Sequence, residues 1–228
     1  MGDKITKQIN HATRTVASSF GILVGLAGID HGIFEILQGN TSTNDILIAA
    51  IGPAQRFWQY GKETALTLVP NFLITGILAV IFGILVTIWS ITFINRRYGS
   101  VIFLLLSSIL FLVGGGFAPI FTTVLTSLVA TSIRRPLSFW REILPDSFRR
   151  FLSKIWPGTL ITFVVMFSAS VEIAIFGWPL TTFYNADSTF DILNQLSFIM
   201  LGFMLLAPVT GFARDIQTQI EEESTQHE

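Results

Sequence analysis

The sequence has no cysteine, little charge and no excess of charge of either sign, and each of these shortages excludes a class of protein. Without cysteine there are no disulfides, no iron–sulfur clusters, no thiolate-bound zinc and no thiol catalysis. Charged residues make up 13% of the 228 positions, about half of the ~25% usual in a soluble domain. The formal net charge of −1 argues against nucleic acid as a partner. The composition favours a chain that lies largely inside a membrane.

Long apolar runs make up most of the sequence. A helix needs about 20 mostly apolar residues to cross a bilayer core, and four stretches meet this requirement: 15–37, 66–94, 155–178 and 190–212. The sequence therefore predicts an all-α fold, a polytopic integral membrane helical bundle. We expect one transmembrane domain over residues 1–214 and an acidic, solvated tail over residues 215–228.

A fifth apolar block, residues 101–131, is too long for one crossing and short for two. Its middle holds Gly114, Gly115, Gly116 and Pro119, and glycine and proline are the residues least favourable inside a helix. These residues predict a break that makes the block a helical hairpin, which brings the total to five or six membrane segments. The sequence alone allows three forms of the block: an outer turn between two full crossings, a re-entrant loop, and a kinked single helix.

The distribution of Lys and Arg supports the hairpin. If the block returns to the side from which it enters, twelve of the fourteen basic residues lie on one side of the membrane and only Arg56 and Lys62 on the other. A single crossing gives a weaker bias of nine against five. Because basic loops tend to stay in the cytoplasm, we expect a multi-pass protein of the cell membrane with both termini cytoplasmic.

A basic segment, residues 132–154, lies between the hairpin and the next span. Its cations alternate with aromatic residues, and they are Arg134, Arg135, Arg141, Arg149, Arg150 and Lys154. Between two spans, this pattern predicts contact with membrane lipids, through anionic headgroups at the cytoplasmic face, and not with nucleic acid.

The loop between the first two spans, residues 38–65, contains an apolar patch at residues 46–51. Asn44 and Asp45 precede the patch, and both residue types are good helix caps. The patch therefore predicts a short helix that lies on the membrane surface.

Glycines recur along the first span, at Gly21, Gly25, Gly28 and Gly32. Gaps of four, three and four residues place them on one face of a helix. Such a face lets a neighbouring helix approach closely. Asp30 lies on the opposite face, and an acidic side chain is costly against lipid, so both faces require protein or water. We therefore expect this span to be the central helix of the bundle.

Polar side chains inside the spans are predicted to share one layer in the outer half of the membrane. At a rise of 1.5 Å per residue, His31 and Glu172 both lie about 9 Å below the outer ends of their spans. The full set is Asp30, His31, Glu35, Asn71, Glu172, Asn194 and Gln195. This layer suits an ion or proton site, a metal or catalytic site, or a structural network that sets helix register.

Two functions follow from this layer. The first is a non-enzymatic accessory subunit or small ion or solute permeation unit with a polar vestibule. The second is an intramembrane metal-dependent enzyme, in which His31, Glu35 and Glu172 bind the metal and Asp30 is the base. The other two histidines lie outside the spans, which disfavours bis-histidine haem. The sequence leaves a homo-oligomer open and identifies neither substrate nor cofactor.

Overall fold

The computed structural model describes residues 9–117 and 119–225. Within these ranges the helices are α1 (His11–Ile36), α2 (Phe72–Thr92), α3 (Gly99–Leu112), α4 (Pro119–Thr131), α5 (Ser138–Ile143), α6 (Asp146–Phe176) and α7 (Ala186–Thr225). Helices α1, α2, α6 and α7 are long and apolar enough to cross a membrane, and α3 and α4 are shorter apolar helices. The predicted all-α membrane bundle is confirmed. Lys4 and Lys7, which the charge count places in the cytoplasm, and residues 226–228 of the predicted tail lie outside the described ranges.

Helix α2 illustrates why these helices suit a membrane. Its buried face carries mostly small side chains, which include Thr75, Gly76, Ala79, Gly83 and Ser90. Its opposite face exposes a stripe of large apolar side chains: Ile74, Ile77, Ile81, Ile84, Leu85, Ile88 and Ile91. A helix of a soluble protein shows the reverse arrangement, with its large apolar residues facing the core. The outer surface of α2 is therefore suited to lipid.

Helix α1 lies at the centre of the bundle, where it packs against α2, α3, α4, α6 and α7. Its closest contact is with α2. A Cβ atom at Gly25 would lie 2.6 Å from the carbonyl oxygen of Gly83, and one at Gly32 would lie 2.6 Å from that of Gly76. The other two glycines of the stripe face side chains of α2 and α3: Gly21 and Gly28. At Gly25 and Gly32, the backbones of α1 and α2 therefore approach to a distance that only glycine allows.

The fifth apolar block is a helical hairpin. Helix α3 ends at Leu112, α4 begins at Pro119, and the two helices pack against each other. The kinked single helix is therefore wrong, and the break lies where the glycines and the proline predict it. Between the helices lies the glycine turn, residues 113–117, in which Gly114 and Gly116 have φ angles of 102° and 83°. Residues with a side chain rarely adopt this left-handed backbone.

The hairpin spans the length of α1. At one end of the bundle, the N–H of Gly114 donates to the carbonyl oxygen of Leu66 at 2.9 Å, beside the two-stranded sheet. At the other end, the N–H of Asn10, just before α1, donates to the carbonyl oxygen of Ile133, just after α4, at 2.9 Å. We call the end of the bundle beside the sheet the β end, and the opposite end, where α1 begins and α4 ends, the terminal end. A re-entrant loop would turn halfway along the bundle, so this geometry favours the outer turn.

The predicted surface helix at residues 46–51 is wrong, because part of it is a strand. Strand β1 (Leu47–Ala49) pairs antiparallel with β2 (Thr64–Leu66), and Ile48 lies opposite Ala65. Ile48 is 4% exposed and its neighbour Leu47 is 58% exposed, which is the alternation of a strand with one covered face.

Helices α6 and α7 extend beyond the predicted spans. Helix α6 begins at Asp146, so the second part of the basic segment is its first turns. Helix α7 continues without a break to Thr225. Asp215 and Ile216 are 6% and 0% exposed, and the bundle therefore continues past Arg214, where the solvated tail was expected to begin.

Candidate functional site

A cavity of about 200 Å³, the vestibule, opens at the β end between α1, α4, α6 and α7. Its lining is largely apolar, and its polar members are Asp30, His31, Glu63, Ser170, Asn194 and Ser197. Two of these residues are acids, and no lysine or arginine is among the lining residues that the structure describes. The vestibule therefore offers negative charge without a cationic side chain beside it, which favours a cationic occupant.

Helix α1 supplies two adjacent polar side chains to the vestibule. Asp30 is half-buried. His31 is 8% exposed, and its Nδ1 atom has no hydrogen-bond partner within the described chain. Buried polar atoms are nearly always hydrogen-bonded, and leaving one unpaired is costly. The free nitrogen of His31 is therefore an atom that a bound ligand could satisfy.

The loop between the strands contributes Glu63, which no sequence pattern indicated. Burial raises the pKa of Glu63 above its ordinary value, because the charged form loses hydration. The same loop is tied to the helices at two points. The Nε1 atom of Trp58 donates to the carbonyl oxygen of Ala174 at 3.0 Å, and the hydroxyl of Tyr60 donates to Asp187 at 2.5 Å. These contacts hold the loop over α6 and α7, beside the vestibule.

Three further residues of the predicted polar layer lie on α6 and α7: Glu172, Asn194 and Gln195. Asn194 and Gln195 are both exposed on α7, and of the two only Asn194 lines the vestibule. Glu172 is exposed on α6, and its carboxylate is close enough to that of Asp30 for the two to repel each other. Glu172 is therefore near the vestibule without lining it.

Two members of the predicted polar layer have other surroundings. Asn71 caps α2, since its Oδ1 atom accepts from the N–H of Ile74 at 3.1 Å, and its Nδ2 atom donates to Asn40 at 2.7 Å. Glu35 lies one helical turn beyond His31 and is completely buried under the glycine turn. The predicted layer thus divides into a vestibule, a helix cap and a separate buried carboxyl group.

The predicted metal set of His31, Glu35 and Glu172 is not assembled. Among the described residues, no three His, Asp or Glu side chains form a group that could hold a metal ion. Glu35 is buried against the glycine turn, whereas Glu172 lies on the exposed side of α6, so the two acids do not converge on one point. This geometry does not support His31, Glu35 and Glu172 as one set of metal ligands.

The basic segment forms one face of the terminal end. Two of its cations have acidic partners: Arg141 pairs with Glu223 at 3.1 Å, and Arg149 pairs with Asp146 at 2.6 Å. Arg134 is half-buried, and the exposed cations are Arg135, Arg150 and Lys154. Large apolar side chains are exposed on α5 and on the first turns of α6: Phe139, Ile143, Phe148 and Phe151. Exposed aromatic residues among cations are typical of a surface that lies among lipid headgroups.

A buried acid at the terminal end was also missed from the sequence. Asp215 of α7 accepts hydrogen bonds from the backbone N–H groups of Ala12 and Thr13 and from the Thr13 hydroxyl, at 2.6–2.9 Å. Asn10, the residue that precedes α1, makes no side-chain cap. Asp215 therefore caps α1 from another helix. The only sequence signal was an acid close to the end of an apolar run.

No known protein family matches the chain, and no curated protein or solved structure is similar to it. The fold and the vestibule define the class: a helical membrane protein with a largely apolar cavity, lined also by two acids, at one end of its bundle.

Proposed function

We propose that this protein is a non-enzymatic membrane protein that binds small cations in its vestibule, as a permeation unit or accessory subunit. The observation that carries this proposal is the charge of the vestibule lining. Asp30 and Glu63 both line the vestibule, as does His31, whose Nδ1 atom has no described partner, and none of the described lining residues is lysine or arginine.

The size and lining of the vestibule favour an organic cation. A bare divalent ion requires several oxygen ligands in a tight shell. The vestibule has about 200 Å³ of space and includes the apolar residues Phe167, Met200 and Leu193. An aromatic ring and an apolar wall suit a cation that carries alkyl groups, such as a small quaternary or protonated amine.

Binding of tetramethylammonium to the purified protein, measured by titration calorimetry in detergent, tests this function. We expect Asp30→Asn to weaken binding at least tenfold, because the variant removes the half-buried charge on α1. Asp45→Asn is the matched control, since Asp45 is exposed at the same end and outside the vestibule lining. Equal affinities of the wild type and Asp30→Asn, or no binding by the wild type, would contradict the proposal.

We also propose that the terminal end faces the cytoplasm and the β end faces outward, in the cell membrane. The basic segment lies at the terminal end, whereas Arg56 and Lys62 belong to the loop at the β end. Because the chain has no native cysteine, single cysteines label without background. We expect Arg141→Cys to react with a membrane-impermeant maleimide only from the cytoplasmic side and Asp45→Cys only from outside. The opposite pattern would reverse the topology.

The basic segment, on this proposal, binds anionic headgroups of the cytoplasmic leaflet. Its exposed cations are Arg135, Arg150 and Lys154. Replacing all three with glutamine should reduce the phosphatidylglycerol that stays bound in native mass spectrometry, relative to phosphatidylcholine. The control variant carries Arg56→Gln and Lys62→Gln at the β end. Equal retention by the two variants would reject the headgroup surface.

A further inference from the structure

Glu35 differs from Asp215, the other acid that is buried among the described residues. Its side chain is 0% exposed, and neither carboxylate oxygen has a hydrogen-bond partner among the described residues. Asp215, by contrast, accepts three hydrogen bonds. A buried carboxylate is stable only with a compensating positive charge or with donors. Glu35 therefore lacks the hydrogen-bond donors that would stabilise its ionised form.

The helices around Glu35 supply no positive charge. Helices α2, α3 and α4 contain no Asp, Glu, His, Lys or Arg, and the glycine turn contains none either. Helix α1 itself carries Asp30 and His31 five and four positions before Glu35, and Glu63 lies in the loop just before β2. No ion pair joins Glu35 to a described residue. Any neutralising charge therefore comes from outside the described part of the chain.

The glycine turn closes over this carboxyl group. A Cβ atom at Gly114 would collide with both carboxylate oxygens of Glu35, and a Cβ atom at Gly116 would collide with the ring of His31. The turn is attached to the sheet by the hydrogen bond from Gly114 to Leu66. Gly114 and Gly116 therefore let the backbone lie directly on the two side chains, which leaves no room for a large ligand.

Neutral oxygen atoms lie next to the glycine turn. The hydroxyl of Thr75 donates to the carbonyl oxygen of Val113 at 2.7 Å and lies 2.6 Å from the hydroxyl of Thr67. Both threonines are buried, and Val113 immediately precedes Gly114. Hydroxyl and carbonyl oxygens are ligands that hard cations accept.

We propose that Glu35 is an occluded site for one monovalent cation, a proton or Na⁺, which the glycine turn closes. One bound cation balances the single charge of the carboxylate. The site is distinct from the vestibule, because Glu35 is not among the residues that line that cavity. Exchange of the cation requires the glycine turn to move away from α1.

Modification by dicyclohexylcarbodiimide, an apolar reagent that reacts with protonated carboxyl groups, tests the site. The full-length protein is treated over a range of pH and Na⁺ concentrations, and the modified residues are identified by peptide mass spectrometry. We expect modification of Glu35 that is lost in Glu35→Gln. Protection by Na⁺ identifies Na⁺ as the occupant, and modification that depends on pH alone identifies the proton. Modification of Asp30 or Glu63 without Glu35 counts against the proposal.

Thermal stability in detergent gives a second measurement that does not depend on access of the reagent. If Na⁺ is the occupant, a concentration of 100 times its Kd should raise the wild-type Tm by about 5–10 °C. If the proton is the occupant, the wild-type Tm should fall as the pH rises, without a Na⁺ effect. Glu35→Gln needs no cation, so its Tm should depend on neither Na⁺ nor this ionisation. Asp30→Asn should keep the Na⁺ or pH dependence of the wild type. A Tm difference between wild type and Glu35→Gln that depends on neither pH nor Na⁺ overturns the occluded site, whatever the result of the vestibule titration.

Discussion

Thr13 and Asp215 are 202 positions apart in the sequence and are joined by two hydrogen bonds. The backbone N–H and the hydroxyl of Thr13 both donate to one carboxylate oxygen of Asp215, at 2.8 and 2.6 Å, and the N–H of Ala12 donates to the other oxygen at 2.9 Å. The first N–H groups of a helix have no partner within the helix, and an acid there also complements the helix dipole. Helix α7 thus secures the start of the central helix.

Asp215→Ala should lower the free energy of unfolding by about 2 kcal/mol, at the upper end of the range for N-cap substitutions, because three donors lose their acceptor. A thermal melt in detergent should show a fall in Tm of about 4–8 °C. Asp191→Ala is the control, since Asp191 is exposed on the same helix, and it should change the stability by about 0.5 kcal/mol or less. Equal Tm values for the two variants would show that the cap is unimportant.

Gly25→Ala should destabilise the bundle by about 1–3 kcal/mol, as overpacking does in other close-packed interiors. Its Cβ atom would meet the carbonyl oxygen of Gly83, which belongs to the α2 backbone and cannot turn aside. Gly158→Ala and Gly202→Ala are controls within helices, because a Cβ atom at either position meets nothing within 4 Å. Since alanine is the better helix former, these variants should be neutral or more stable. A stable Gly25→Ala protein would refute close packing of α1 on α2.

Gly116→Ala should be more destabilising than Gly39→Ala. Both glycines have left-handed φ angles, 83° and 77°, and a side chain at either costs about 1–2 kcal/mol. A Cβ atom at Gly39 meets nothing within 4 Å, whereas one at Gly116 collides with the ring of His31. The unfolding free energy lost by Gly116→Ala, minus that lost by Gly39→Ala, therefore measures the contact between the glycine turn and α1. We expect it to be at least about 1 kcal/mol, and equal losses would mean that only the backbone conformation matters.

Asp187→Asn should lower the pH at which Tyr60 ionises. The hydrogen bond to Asp187, together with burial and nearby negative charge, raises the pKa of Tyr60 above its ordinary value of 10.0. A raised pKa means that the folded state favours the neutral phenol, so the contact is complete below pH 10.0 and is lost as the pH rises through the raised value. The ultraviolet absorbance of phenolate should report the change in a protein with Tyr98→Phe and Tyr184→Phe.

Asp45→Asn is the control for the tyrosine titration, because it removes a charge from the same end of the bundle without contacting Tyr60. Its midpoint should equal that of the parent protein. If Asp187→Asn and Asp45→Asn titrate alike, the contact between the loop and α7 is absent in solution.

Local features of the sequence determined the helices, the break in the hairpin and the close approach of α1 to α2. The length and hydropathy of a segment suffice to predict a membrane span, because the thickness and apolar interior of the bilayer require a helix of that length and composition. Consecutive glycines at positions 114–116 disfavour a helix, and Pro119 suits the first turn of the next one. The spacing of Gly25 and Gly32 defines a helix face before any partner is known.

Only the tertiary structure decided which polar groups meet. Glu63 reaches the vestibule because its loop is tied to α6 and α7, and Glu35 is isolated because the glycine turn folds onto it. Asp215 finds its donors 202 positions away. Depth along a helix can be counted from the sequence, whereas the direction in which each polar side chain points depends on how the helices rotate and pack against one another. That rotation separated the seven predicted residues into different sites.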